Sequence, residues 1–122
     1  MSYRVKEIMI TEVITVEGSV SLLKALDLMY SKKVKSLVVL PRSESEPYGM
    51  LTFTDLARHV VVPGEQIELL NVFDVMQKPA ISVSKEWDIK YAAKLLTDCG
   101  INRALVIDGN KLEGLISLTD IV

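Results

Sequence analysis

Cysteine is nearly absent. Cys99 is the one thiol in 122 residues, which excludes an internal disulfide and offers no thiolate cluster to a metal. It is expected to pack as a small apolar residue. A basic excess is also missing: 14 Lys and Arg stand against 16 Asp and Glu, for a net charge of −2. Nothing is therefore left over to meet a nucleic-acid backbone. No apolar run approaches the ~18 residues of a membrane span, and the opening Met1-Ser2-Tyr3-Arg4-Val5-Lys6-Glu7 carries no signal-peptide core. These absences predict a cytoplasmic, reduced protein that engages neither nucleic acid nor membrane. His59 is the one histidine. No Cys–His or Ser–His spacing, HExxH motif or P-loop accompanies it, which argues against an enzyme and against a catalytic cofactor.

What the chain does hold is 49% hydrophobic and 25% charged residues, a globular composition. Within it a seven-residue stretch occurs twice, as Gly49-Met50-Leu51-Thr52-Phe53-Thr54-Asp55 and as Gly114-Leu115-Ile116-Ser117-Leu118-Thr119-Asp120. If both are strands, Thr52 and Thr54 point one way and Leu51 and Phe53 the other, with Ser117 and Thr119 behaving alike in the second copy. Thr54 and Thr119 then stand where a helix begins, beside Asp55 and Asp120. Two hydroxyls, a carboxylate and unpaired helix-start N–H groups suit a phosphate and a vicinal diol. The plainer alternative is that these residues are ordinary helix caps.

In chain order, Val5–Met9 reads as a short lead-in and Val13–Val16 as a β-prone run. Glu17-Gly18-Ser19 is a break with Ser19 as a possible cap, and Val20 to about Lys33 has helical spacing. Ser36–Leu40 is a nearly all-apolar strand, expected to be covered on both faces. A polar loop over 42–47, a strand over 49–53, a helix over 54–61 and a short linking helix over 65–71 follow. From Val72 the pattern restarts: Met76 answers Met9, and Ile14/Ile81, Val16/Val83, Ala25/Ala92, Leu28/Leu95 and Val39/Val106 keep the same offset of 67. At the motif the offset falls to 65, because the loop after Leu40 is two residues longer than that after Ile107. The chain is thus two copies of strand–helix–strand–strand–helix, assigned to residues 1–66 and 67–122. Each is too small to bury much alone, so the copies are expected to pack face to face.

In this order the residues resemble a tandem CBS-domain protein, or Bateman module. The likeness rests on Val75-Met76 before Ala80-Ile81-Ser82-Val83, the apolar helix from Trp87, Gly100-Ile101-Asn102-Arg103-Ala104-Leu105-Val106-Ile107-Asp108 and the Gly114–Asp120 motif. The first copy matches through Ile8-Met9, Ile14-Thr15-Val16, Ser36–Leu40 and Gly49–Asp55. The resemblance implies an α/β (α+β) fold of two pseudo-symmetric β-α-β-β-α repeats packed sheet to sheet. It also implies a regulatory module that binds adenosine-containing ligands in clefts between repeats. On that pattern Asp55 and Asp120 hold ribose hydroxyls. Thr52, Thr54, Ser117 and Thr119 meet ribose or phosphate, and Ile14-Thr15 and Ile81-Ser82 lie against adenine. Asn102 and Arg103 in the second copy, and Lys35 and Ser36 in the first, lead into the second strand and supply charge or polarity to phosphate. Arg58 and His59, three and four positions after Asp55, are further phosphate candidates; a structural role for His59 and a solvated one for Arg103 are the alternatives. Trp87 either stacks on a base or packs at an interface.

The expected function is a stand-alone, non-catalytic energy sensor. AMP, ADP or ATP is its regulatory ligand, its assembly is a homodimer, and it signals to a separate, unidentified protein target. The alternatives are a dimerisation module with vestigial clefts and an S-adenosylmethionine sensor. Lys and Arg near the motif lean toward phosphate. The chain stops two residues after Asp120, so the last helix is expected to be almost absent and the setting of Asp120 less fixed than that of Asp55.

Overall fold

The computed structural model describes residues 2–122. The elements run α1 (Val5–Ile8), β1 (Thr15–Glu17), α2 (Leu22–Lys32), β2 (Ser36–Leu40), β3 (Gly49–Thr52) and α3 (Phe53–Leu56). A π-helical turn (Ala57–Val61) and a 3-10 turn (Ile67–Leu69) follow. Then come α4 (Val72–Val75), β4 (Ser82–Val83), α5 (Ile89–Cys99), β5 (Arg103–Asp108), β6 (Lys111–Ser117) and α6 (Leu118–Ile121). The repeat read from the sequence is present in this order. No helix among the described residues is long and apolar enough to cross a membrane.

The compact units are cut differently from the sequence copies. One unit is Ile14–Ala80; the other joins the residues up to Val13 to Ile81–Val122. Each therefore takes its lead-in helix from the other copy. In the first-motif unit α4 docks through Val72 N–H donating to Val20 O (2.9 Å) and Phe73 N–H to Gly18 O (3.0 Å). In the second-motif unit α1 docks through Val5 N–H donating to Trp87 O (2.8 Å) and Lys6 N–H to Lys85 O (3.0 Å). Val5 and Val72, equivalent across the repeat, are both fully buried. The lead-in exchange, rather than a single cut in the sequence, defines the two packed bodies.

Each unit has one three-stranded sheet. In the first, β1 runs parallel and β3 antiparallel to β2, with Thr15 opposite Val38 and Ser36 opposite Thr52. In the second, β4 and β6 flank β5 in the same senses, with Ser82 opposite Leu105 and Arg103 opposite Ser117. The parallel pairs need a crossover, which α2 and α5 provide. Leu22, Ala25 and Met29 of α2 pack with Leu37, Val39 and Leu51 in one core. Ala92 and Leu96 of α5 pack with Ala104, Val106 and Ile116 in the other. β2 is buried from Ser36 to Val39, as its unbroken apolar run predicts.

Three local expectations need correction. Ser21, not Ser19, caps α2, accepting from Lys24 N–H at 3.2 Å. α5 starts at Ile89 behind an Asp88 cap, so Trp87 precedes the helix. Cys99, the last residue of α5, is exposed and does not serve as a core residue.

Both long helices end in a left-handed residue: Gly100 at φ 65° and Lys33 at φ 56°. The motif glycines have another origin. A Cβ on Gly49 would lie 2.9 Å from Gln77 O, and one on Gly114 would lie 2.4 Å from Ile10 O. They are glycine because the incoming lead-in backbone crosses the motif strand there.

Candidate functional site

The motif folds as a strand that ends in a helix cap. In the first-motif unit β3 stops at Thr52, whose hydroxyl accepts from Asp55 N–H (3.3 Å), while Asp55 Oδ2 accepts from Thr52 N–H (2.8 Å) and from its hydroxyl (3.0 Å). In the second, Ser117 Oγ accepts from Asp120 N–H (3.3 Å), and Asp120 Oδ2 accepts from Ser117 N–H (3.0 Å) and Ser117 Oγ (2.7 Å). This is a reciprocal capping box. The caps are Thr52 and Ser117, not Thr54 and Thr119. Thr54 and Thr119 lie in the first helical turn, exposed, so they do not share a strand face with Thr52 and Ser117. The cap also consumes donors expected to be free: Asp55 and Asp120 N–H are taken, and Leu118 N–H donates to Asn102 O (2.9 Å).

On each aspartate one carboxylate oxygen stays outside the cap, and here the units part. Asp55 is 1% exposed, and its Oδ1 accepts from the Gln77 side-chain amide at 3.0 Å. Asp120 is half-buried, and its Oδ1 has no hydrogen-bond partner among the described residues. The Ser117 proton goes to Asp120, so the 2.9 Å contact between Ser117 Oγ and Thr119 Oγ1 is donated by Thr119. Thr119 therefore presents lone pairs outward, as does Asp120 Oδ1. Both accept, which matches hydroxyl donors such as a diol.

Arg103 opens β5 directly opposite Ser117 in the ladder. It is half-buried, and among the described residues its guanidinium forms no ion pair. Asn102 beside it is exposed. Ile81 is half-buried against its core and its carbonyl accepts from Leu105 N–H (2.9 Å); Ser82 is exposed. In the first-motif unit Ile14 sits in the equivalent place, accepting from Val38 N–H (3.0 Å), with Thr15 exposed. Ser36 replaces Arg103 opposite Thr52 and is buried. Lys35 is exposed next to it, and Arg58 and His59 are exposed on the π-helical turn after α3. Trp87 lines an open groove of about 520 Å³ with Tyr91, Lys94, Leu95 and Asp98, a lining that contains none of the motif residues.

Gln77 is the residue that sequence reasoning missed. The offset of 67 sets it against Ile10, a polar residue facing an apolar one directly after the Met9/Met76 pair. That mismatch was the available signal. Its meaning depended on the lead-in exchange, which carries Gln77 to its own unit's Met50 and Ile10 to Leu115.

The comparisons agree with this architecture. Residues 5–62 and 72–122 each match the CBS domain family. Among solved structures, a hexameric CBS-CP12 protein from bloom-forming cyanobacteria is 39% identical with a TM-score of 0.94, over 99% of this chain and 67% of that one. A CBS domain protein of unknown function from Thermoplasma acidophilum is 25% identical with a TM-score of 0.89, over 99% and 68%. The CBS domain-containing protein YhcV of Bacillus subtilis is 28% identical over 96% of this chain and 81% of its own length. The chain spans 44% of an uncharacterised Methanopyrus kandleri relative, to which it is 35% identical over 70% of its residues, and 31% of one from Methanocaldococcus jannaschii. The chain therefore belongs to the CBS-domain family, as a tandem pair of repeats, a regulatory class of module.

Proposed function

We propose that this CBS pair is a non-catalytic sensor of an adenine nucleotide and relays occupancy to a separate protein. The observation that carries the reading is the Asp120 corner. One carboxylate oxygen is held in the cap, the other has no partner among the described residues, and an unpaired guanidinium stands across the ladder at Arg103. A half-buried carboxylate oxygen accepts from ribose hydroxyls, and a planar guanidinium takes phosphate oxygens in pairs. Together they favour a phosphorylated nucleoside over S-adenosylmethionine. A structural neighbour that shares the fold at 20% identity was solved with 5′-methylthioadenosine and S-adenosyl-L-methionine, which supports the adenosine class. A pure interaction module is the second reading. Exposed Tyr30, Val61, Val62 and Leu69 favour it, and they also suit a homodimer.

Calorimetry against AMP, ADP, ATP and S-adenosylmethionine, on protein stripped of co-purified ligand, decides between the two. The expected result is micromolar binding of one adenine nucleotide. Asp120→Ala should weaken it about 10- to 150-fold, the ~1.5–3 kcal/mol of a charge-assisted hydrogen bond. Arg103→Gln should weaken AMP more than adenosine. A folded protein that binds none of the four ligands belongs to the second reading.

A further inference from the structure

The two motif aspartates differ by one side chain delivered from the lead-in. On the same backbone bridge, Gln77 pairs with Met50 (N–H to O at 2.8 Å and 2.9 Å) and Ile10 pairs with Leu115 (2.8 Å and 2.9 Å). Positions 77 and 10 are thus equivalent in register. The Gln77 side-chain amide donates from Nε2 to Asp55 Oδ1 at 3.0 Å. The amide stands where a ribose hydroxyl would donate. It satisfies the last oxygen of a carboxylate that is 1% exposed. The Ile10 side chain carries no donor and is 49% exposed, so Asp120 keeps its oxygen open.

Resting on the sensor reading, we infer that Gln77 is an internal latch that occupies the ribose-binding oxygen of Asp55, so that each chain presents one nucleoside site, at Asp120. To bind at Asp55, a diol must replace a hydrogen bond that already exists and uncover a buried group, whereas at Asp120 it fills an unmet acceptor. The Ser36 and Arg103 pair sharpens the difference, since the latched unit also lacks the guanidinium.

The test exchanges the two side chains and counts AMP per chain by calorimetry and equilibrium dialysis. Wild type should bind one AMP. Gln77→Ile should add a second, weaker site, and Gln77→Ile with Asp55→Ala should lose that addition. Ile10→Gln changes an exposed residue and leaves the fold intact, so it reports even if Gln77→Ile is unstable. It should weaken the wild-type site about tenfold. Two AMP per wild-type chain, an unchanged count in folded Gln77→Ile, or unchanged affinity in Ile10→Gln would each overturn the latch while leaving the sensor in place. No AMP binding to any of these proteins would remove the sensor reading and the latch with it.

Discussion

The two units share strand order, ladder register, helix caps and the docking of a borrowed lead-in, yet they differ at the positions where chemistry is possible. In the first-motif unit the aspartate is buried and fully bonded, and a buried serine opens the central strand. In the second, the aspartate is half-open and an arginine opens that strand. Backbone hydrogen bonds set the common part, and they tolerate almost any side chain. The difference lies in side chains that those bonds leave unspecified. A duplicated fold can thus keep one copy fully bonded at a motif position and leave the same position of the other with an open acceptor.

The largest expected effect tests the docking that both units share. Gly114→Ala places a Cβ 2.4 Å from Ile10 O, so the paired bonds between Ile10 and Leu115 must separate. Gly49→Ala meets Gln77 O at 2.9 Å and the more yielding Met76 sulfur at 3.1 Å. Urea denaturation should show a loss of about 3 kcal/mol for the first and about 1.5 kcal/mol for the second, in the range of overpacked cores. Equal losses would mean that the two lead-ins dock alike and that the tighter approach at Gly114 relaxes freely.

The motif positions show how far the sequence could be read. The repeat, the strand over 36–40, the strand expected over 49–53 that ends one residue earlier at Thr52, and the long helices were legible because apolar periodicity and turn residues report local backbone preference. The helix start was misplaced: the caps lie two residues before Thr54 and Thr119. The strand gives way to the helix at Thr52 and Ser117, and alternation cannot show where a strand stops. The lead-in exchange was invisible for another reason. Val5 and Val72 look alike, and nothing local says which core each will enter. Gln77 followed from that exchange, so its partnership with Asp55 required the tertiary structure.

A smaller effect separates the helix ends. Lys33 adopts φ 56° with ψ 41°, a conformation disfavoured for a side chain with a Cβ, where the second unit uses Gly100. Lys33→Gly should therefore stabilise by about 0.5 kcal/mol, the relief of strain being partly offset by a freer unfolded chain. Gly100→Ala should destabilise by about 1 kcal/mol through backbone strain alone, because a Cβ there meets nothing within 4 Å. Chemical denaturation of both variants reads the pair. A destabilised Lys33→Gly would show that the lysine side chain contributes more at that terminus than its backbone costs.

The smallest effects come from surface charge, where each unit holds one cluster of opposite sense, and the second unit also pairs Glu86 with Arg4 (2.6 Å) and Lys6 (3.1 Å). In the first, one carboxylate lies under two cations: Glu46 pairs with Arg42 (2.8 Å) and Lys78 (2.6 Å). Hydrogen bonds from Arg42 and then Lys78 hold its carboxyl down to about 2. In the second, one cation lies between two carboxylates: Lys85 pairs with Glu113 (3.1 Å) and Asp108 (3.2 Å), and hydrogen bonds from those groups, Glu113 first, raise its ammonium above the usual lysine value. The signs are opposite. Because folding lowers the Glu46 value, its contribution is present above the ordinary carboxylate range and fades as pH falls from about 4.5 toward 2. Because folding raises the Lys85 value, its contribution is present below the ordinary 10.5 and fades as pH climbs past it. Thermal melts across pH should therefore show a shallower acid limb in Glu46→Gln and a shallower alkaline limb in Lys85→Met. Near neutrality the changes should be small, since exposed pairs are screened by water and salt. If either substitution flattens both limbs, the two clusters do not act as independent anchors of their own units.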